Sequence, residues 1–361
     1  MSRQMEVERQ HFENYRITEH AAREPGAGEI KLKIDFFAFT ANNLTYAAAG
    51  DALGYWQFFP TLAAEGDGWG VIPVWGFADV VESHAGGVTI GDRLYGYFPP
   101  GDTLVIKPVN VKEAALYDGS EHRSKLPPLY NRYLRVPKAA DEAGRQMEIA
   151  QALLGPLYGT SFCLFDQLRN NAWYGAEQII IISASSKTSL GLAYGLADTD
   201  DAPAIIGLTS AGNVDFVDGL GIYDEAIAYA DVASLSQCPT VVVDMAGNSA
   251  LAASLEAQLG DELNYYISVG LTHWDQNSGG LGKRNERHEM FFAPSYMLER
   301  STALPPGEFA SQAQAYVAKA SMSSLAWLDL SILNGLGALA AVYPDACAGR
   351  IPPTRGLICQ M

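Results

Sequence analysis

The chain has 361 residues, enough for two domains that each bury a core, and its 48% hydrophobic and 18% charged content is globular rather than disordered. A net charge of −17 excludes nucleic acid as an expected partner, because binding it needs Lys and Arg to neutralise phosphates. No apolar run reaches the ~18 residues of a membrane span, and residues 1–9 lack a signal-peptide core, so no membrane partner and a cytoplasmic location are expected.

Residues 29–35 alternate apolar and polar with period two, the pattern of a half-buried strand. The string Asn42, Asn43, Leu44, Thr45, Tyr46 follows, and then an aromatic cluster of Tyr55, Trp56, Phe58 and Phe59 that reads as core or as an apolar pocket wall. Residues 71–81 are apolar, interrupted by Pro73 and Gly76, and residues 92–98 follow a Gly91-Asp92 turn. Residues 117–128 read as a surface excursion before a strand at 130–136. Short strands punctuated by Gly and Pro predict a compact, barrel-like domain.

The period changes near residue 148. Residues 149–168 read as a helix, and 178–183 form a continuous β-branched run, as in a strand buried on both faces. A helix at 185–198, a buried strand at 204–209, a helix at 214–220 and a short strand at 225–229 come next. A strand at 240–244, a helix at 249–259 and a strand at 264–270 complete the series. This alternation predicts a parallel sheet with right-handed crossovers. The tail is helical over 309–330, then Gly-broken, then a short helix from 338 that Pro344 should end. Pro305, Pro306 and Gly307 are the linker candidate, giving expected domains of 1–150 with 306–361, and 151–305.

The turn after strand 178–183 carries Ser185, Ser186, Lys187 and Thr188 and opens a helix. Free N–H groups and the helix dipole make such a terminus an anion site. The next strand ends in Thr209 and Ser210, with Asn213 close behind. In a dinucleotide fold this strand tip faces the adenosine ribose, where an acidic residue would hold the 2′-hydroxyl. None stands there, and small hydroxyl residues leave room for a 2′-phosphate, which favours NADP(H). The G-x-G-x-x-G pattern is missing, with Lys187 and Thr188 where glycines would admit a pyrophosphate. Two readings stay open: these groups still hold phosphate, or the unit keeps its fold and has lost its ligand. Cys163, Cys238, Cys347 and Cys359 lie far apart without C-x-x-C, so reduced thiols are expected rather than a zinc cluster or disulfides. The basic string Lys283, Arg284, Arg287 reads as a solvated charge run or as a holder of carboxylate or phosphate.

The order of elements resembles the zinc-free medium-chain dehydrogenase/reductase superfamily, especially its quinone and enoyl reductases. Residues 74–81 resemble that family's Gly-centred strand, 91–96 its G-D-R-V-x-G turn, and 179–197 its strand–turn–helix. Residues 207–214, 219–221, 228–229, 244–247 and 268–271 follow in family order. The strings at 42–46 and 75–78 are more particularly similar to the DUF2855 family, which carries no established activity with it. The resemblance covers about residues 28–361 and implies an α/β protein, a GroES-like β-rich domain plus a Rossmann-type doubly wound parallel sheet. It adds Tyr229, Gly247 and Gly270 to the cofactor residues and implies NADP as the cofactor. Zinc members carry Gly-His-Glu where this chain has Gly76, Phe77 and Ala78, so no metal is expected. Enoyl reductases of the superfamily can use a Tyr in the region of Tyr46, which implies Tyr46 as proton donor, with Asn42 or Asn43 orienting a carbonyl and Tyr55 as the second candidate. The implied function is a metal-free, NADP(H)-dependent oxidoreductase acting on a small apolar carbonyl, enone or quinone. The alternatives are a non-redox, lyase-like enzyme and an NADP(H)-sensing protein on the same scaffold. Dimers are common in the superfamily, and the strand at 264–270 is the expected pairing edge of a homodimer.

Overall fold

The computed structural model describes residues 1–61, 68–269 and 286–361. Its elements begin with β1 (Ser2–Glu8), β2 (Tyr15–His20), β3 (Ile30–Phe39), α1 (Ala41–Ala48), β4 (Trp69–Gly70), β5 (Val74–Ser83), β6 (Arg93–Phe98), β7 (Thr103–Ile106), β8 (Pro108–Val109), β9 (Ala115–Asp118) and β10 (Arg132–Val136). They continue with α2 (Glu142–Asn170), β11 (Gln178–Ile182), α3 (Lys187–Ala197), β12 (Ala204–Thr209), α4 (Val214–Gly219), β13 (Glu225–Ala228), β14 (Thr240–Asp244), α5 (Ser249–Leu259) and β15 (Leu263–Val269). The chain ends with β16 (His288–Phe291), α6 (Ala293–Ala303), α7 (Glu308–Ser324), β17 (Asp329–Asn334), α8 (Gly335–Cys347) and β18 (Arg355–Gln360). Two units result: Met1–Pro156 with Trp327–Met361, and Leu157–Ala326.

The first unit is built on a nine-stranded sheet in the order β17-β18-β3-β5-β6-β10-β9-β8, with β7 also on β3, beside a three-stranded sheet β2-β1-β4. The alternation in β3 buries Ile30, Leu32 and Ile34 in one core with Val74, Leu94 and Phe98. Gly96 is required where it stands, since a Cβ there would meet Tyr133 at 2.4 Å. Arg93, from the Gly91-Asp92 turn, is buried among three carboxylates. Its Nε and Nη2 reach Glu148 at 2.7 and 2.8 Å, Nη1 reaches Asp79 at 2.8 Å, and Nη2 reaches Asp35 at 2.7 Å. Arg145 adds a 2.6 Å bond to Asp35, so the start of α2 is pinned to the sheet by charge as well as packing.

The tail differs from the expected helices. Residues 329–334 form β17, parallel to β18 across the crossover helix α8, and β18 runs antiparallel beside β3 with Leu357 opposite Phe39. Strand β18 depends on a partner some three hundred residues away, and β17 in turn depends on β18, which local patterning does not register. Pro344 sits inside α8 instead of ending it, because the lost N–H bond falls in a final turn that closes at Cys347.

The second unit holds a six-stranded parallel sheet in the order β13-β12-β11-β14-β15-β16. Numbered within the unit this is 3-2-1-4-5-6, the doubly wound nucleotide-binding order. All five residues of β11 are buried, as the β-branched run requires. Helix α3 approaches its neighbours closely through glycines: a Cβ on Gly191 would meet Tyr158 and Ser161 at 2.5 Å, and one on Gly195 would meet Tyr316 at 2.2 Å. Tyr316 is on α7, so that helix belongs to the second unit, and the boundary falls after it rather than at Pro305 to Gly307. The strand expected at the sheet edge, 264–270, is covered by β16, whose His288 pairs with Tyr266. Among the described residues no helix is long and apolar enough to cross a membrane.

Candidate functional site

In the second unit the parallel sheet gathers the carboxyl ends of its strands on one edge, and the strand order reverses between β11 and β14, where ligands bind in open α/β sheets. The turn leaving β11 starts with Ser183 at φ +61°, a left-handed conformation that a glycine adopts without strain. It is held there by Ala184 N–H donating to the Leu208 carbonyl (2.9 Å) and by Ser186 N–H donating to the Ser183 carbonyl (2.8 Å). The loop shape survives the loss of the glycine because its neighbours fix it.

Ser185 is the hub of this turn. Its hydroxyl accepts from Thr209 Oγ1 at 3.2 Å and from Asn213 Nδ2 at 3.1 Å. With both acceptor positions engaged, the Ser185 proton is left to donate to something else. Ser186 caps α3, its Oγ accepting from Ser189 N–H at 3.2 Å, while the first N–H groups of the helix lack intrahelical partners. Lys187 is half-buried at the first position of the helix, and burial pushes its pKa down to about 8. Thr188 is half-buried beside it, and its carbonyl accepts from Ser161 Oγ at 2.7 Å. Ser210 is exposed just beyond β12. Tyr229 follows β13, and burial raises its phenol above the ordinary range. Gly247, at φ +66°, closes the turn after β14, where Asp244 Oδ1 accepts from Ala246 N–H (2.8 Å) and Gly247 N–H (2.9 Å). The other Asp244 oxygen accepts from Tyr266 at 2.8 Å.

The structure therefore brings Ser185, Ser186, Lys187, Thr188, Thr209, Ser210, Asn213, Tyr229 and Gly247 to one edge of one sheet. Gly270, Lys283 and Arg284 lie outside the described residues. Arg287 is at the opposite edge: its guanidinium donates to the carbonyl of Leu263, the first residue of β15, at 3.1 Å. It cannot serve the strand tips, a correction to its place among the candidate anion holders.

The candidate proton donor lies in the first unit. Tyr46 is on α1 and buried, in edge or tilted contact with Tyr55, Tyr97 and Tyr130 at ring separations of 4.7, 5.6 and 6.3 Å. Its oxygen accepts from Trp75 Nε1 at 3.2 Å. Burial first, and then Tyr55, raise the phenol far above its usual pKa, against an opposing pull from Trp75 and Asn42. Asn42, one helical turn earlier, acts on the Tyr46 phenol in the same sense as Trp75. Asn43 does something else. Its Oδ1 accepts from Thr40 N–H at 2.7 Å, closing the amino end of α1, and its Nδ2 donates to the Pro73 carbonyl at 2.8 Å. That amide holds the helix in place.

Around Tyr46 the sheet presents a face of rings. Trp75 pairs with Tyr97 and Phe77 with Tyr95 across β5 and β6, while Phe36 stacks on Phe77 at 5.1 Å. The opposite face packs the main core through Val74, Leu94 and Phe98. Phe77, where zinc relatives place a histidine, is one of these packed rings. Tyr55 and Tyr130 share a 3.0 Å hydroxyl–hydroxyl bond, and Tyr95 donates to the Gln151 carbonyl at 3.2 Å. Tyr97 Oη has no hydrogen-bond partner among the described residues. Trp75, Tyr95, Tyr97 and Tyr130 escaped the sequence reading. The alternation Tyr95-Gly96-Tyr97 was the available signal, since it puts two phenols on one strand face. Among the described residues no group of three His, Cys, Asp or Glu side chains could hold a metal ion.

The profile of a protein family described as "Protein of unknown function (DUF2855)" matches residues 37–352. No curated protein sequence matches the chain. Among solved structures, CurA from Vibrio vulnificus in complex with NADPH superposes with a TM-score of 0.63 at 14% identity over 99% of each chain. The mycobacterial Rv1454c complexed with NADPH gives 0.55 at 13% over 100% of each chain. JamJ enoyl reductase in its apo form gives 0.59 at 13%, over 100% of this chain and 99% of its own. At these identities the likeness establishes the fold: a GroES-like β-rich domain with a Rossmann-type parallel sheet, as in medium-chain reductases.

Proposed function

Since the chain belongs to the DUF2855 family and has the fold of medium-chain reductases, we propose that it is an NADP(H)-dependent, metal-free oxidoreductase acting on a small apolar carbonyl, enone or quinone. The observation that carries this reading is the chemistry of the strand tips. Every group at the Ser185 turn is a hydroxyl, an amide N–H or an ammonium, and no carboxylate stands at the end of β12. Such a donor set fits phosphates, and its lack of an acid fits a 2′-phosphate in place of a bare ribose hydroxyl.

NADPH, when bound, supplies the reducing equivalent. The chain's residues do the rest. The first N–H groups of α3 and the Lys187 ammonium hold the diphosphate. Ser185 donates its remaining proton, and Ser210 and Asn213 meet the ribose end. Gly247 lets backbone approach the cofactor from β14. Tyr46 delivers a proton to the reduced substrate. Its raised pKa keeps it protonated at neutral pH, so it acts as a donor and not as a base. A weak acid of this kind matches a strongly basic acceptor, an enolate carbon or an alkoxide. The surrounding rings exclude water and suit an apolar substrate. A cytoplasmic location belongs to the same reading. A homodimer would extend the six-stranded sheet through β16, one of its two edge strands, and sedimentation tests that.

Titration of the purified protein with NADPH and with NADH, read by quenching of its tryptophan fluorescence, tests the cofactor. Consumption of NADPH absorbance with 1,4-naphthoquinone or 2-cyclohexenone tests turnover. Tighter or equal binding of NADH would remove the strand-tip assignment. Quenching by NADPH without consumption would favour the sensor.

A further inference from the structure

The Tyr46 hydroxyl has its direction set by its neighbours. Trp75 Nε1 lies 3.2 Å from Tyr46 Oη. An indole N–H can only donate, so the phenol oxygen must accept in this pair. Asn42 acts on the same phenol in the same sense as Trp75, favouring its ionised form. The Trp75 N–H takes one lone pair of the oxygen, and the Tyr46 proton is turned away from it. No acceptor for it stands among the described residues: Tyr55 and Tyr130 bond each other at 3.0 Å, and Tyr97 Oη has no partner. A buried phenol proton without an acceptor is an exception that calls for a role, and a substrate oxygen or carbanion would satisfy it.

We propose that Trp75 is a positioning residue that acts through Tyr46, its N–H fixing the rotation of the phenol hydroxyl so that the proton is presented to the bound substrate. This rests on the reading of Tyr46 as proton donor. In the step, the Tyr46 O–H bond breaks and its proton bonds the substrate centre that has accepted the electron pair supplied by NADPH. The phenolate left behind receives the N–H of Trp75, and regains a proton from water once the product has left. Trp75 therefore serves twice, by aiming the hydroxyl and by steadying the phenolate.

The test is a double-mutant cycle with NADPH and two probes, 1,4-naphthoquinone and 2-cyclohexenone. Trp75→Phe removes the N–H but keeps a ring against Tyr95, which stacks on Trp75 at 5.7 Å. Its kcat should fall about tenfold or more, with the probe KM and NADPH affinity nearly unchanged, and Tyr46→Phe should fall about 10²-fold. The double variant should be no slower than Tyr46→Phe alone, because without the hydroxyl the indole N–H has nothing to aim. Should Trp75→Phe fail to fold, benzothienylalanine at position 75 puts sulfur in place of N–H at nearly unchanged shape. Losses that add in the double variant would overturn the proposal. So would full activity without the N–H while Tyr46→Phe is slow. Full activity of Tyr46→Phe, or a wild type inert to both probes, would remove the proton-donor reading and this inference with it.

Discussion

The two regions hold their polar groups in opposite ways. Around Tyr46 the donors are phenols and an indole, large, buried and set in an apolar sheet face, and the Tyr46 and Tyr97 hydroxyls keep protons that no described group accepts. At the Ser185 turn the donors are small, and they are joined into a hub by Thr209 and Asn213. The first arrangement suits a neutral, flat ligand that brings its own acceptor oxygen. The second suits an anion, whose charge is met by backbone dipoles and one ammonium without large side chains in the way. The difference teaches that a turn without glycines can still gather small donors at one strand tip when its backbone is held, as Ser183 is by the bonds of Ala184 and Ser186.

The largest expected break in this contrast is Tyr46→Phe, which should cut turnover about 10²-fold. NADPH affinity should stay unchanged and stability should fall by about 1 kcal/mol for the lost hydroxyl contact. Stopped-flow kinetics and a melting curve read both. Lys187→Met should act on the other region only, weakening NADPH about tenfold, equivalent to about 1.4 kcal/mol, and flattening the salt dependence of binding. Isothermal titration at several salt concentrations measures it. NADPH should bind several-fold tighter than NADH, and Ser210→Asp should reverse that order by placing a carboxylate where the ribose hydroxyl is read. Asn43→Ala should lower stability by about 1 kcal/mol in urea unfolding, the usual scale for a lost helix-end bond. The smallest effect is a pH dependence. Lys187 titrates near pH 8, so it is charged below and neutral above, and a bound phosphate raises its pKa. NADPH should then bind with uptake of a fraction of a proton near pH 8 and lose affinity as pH rises further. Calorimetry in buffers of different ionisation enthalpy would detect the uptake.

The same contrast governs what the sequence disclosed. Strand β11 announces itself, because Ile179 to Ile182 are β-branched and buried on both faces. The tips of β11 and β12 then follow from chain order alone, which is why Ser185 and Thr209 could be named, while Tyr229 came with the family resemblance. The aromatic face could not be assembled that way, since Trp75 meets Tyr97 only through the register of β5 on β6. Asn43 shows the reverse error. A polar residue beside a candidate tyrosine reads as chemistry until its amide is found closing the end of α1. Strands β17 and β18 stayed hidden because β18 takes its place from the distant β3 and β17 from β18, and the helical pattern of α7 runs on to residue 330, into the start of β17.

The position of β18 has a consequence for how the protein is made. It lies between β17 and β3, inside the nine-stranded sheet, yet it is synthesised after every residue of the second unit. At roughly 5–20 residues per second, β3 leaves the ribosome on the order of tens of seconds before the strand that covers its edge. In that interval the second unit can fold while the first cannot close, and the waiting edge of β3, with Phe37 and Phe39 on it, is open to chaperones and to other nascent chains. A premature stop codon just before residue 355 would yield a product with an intact second unit and a first unit unable to finish its sheet.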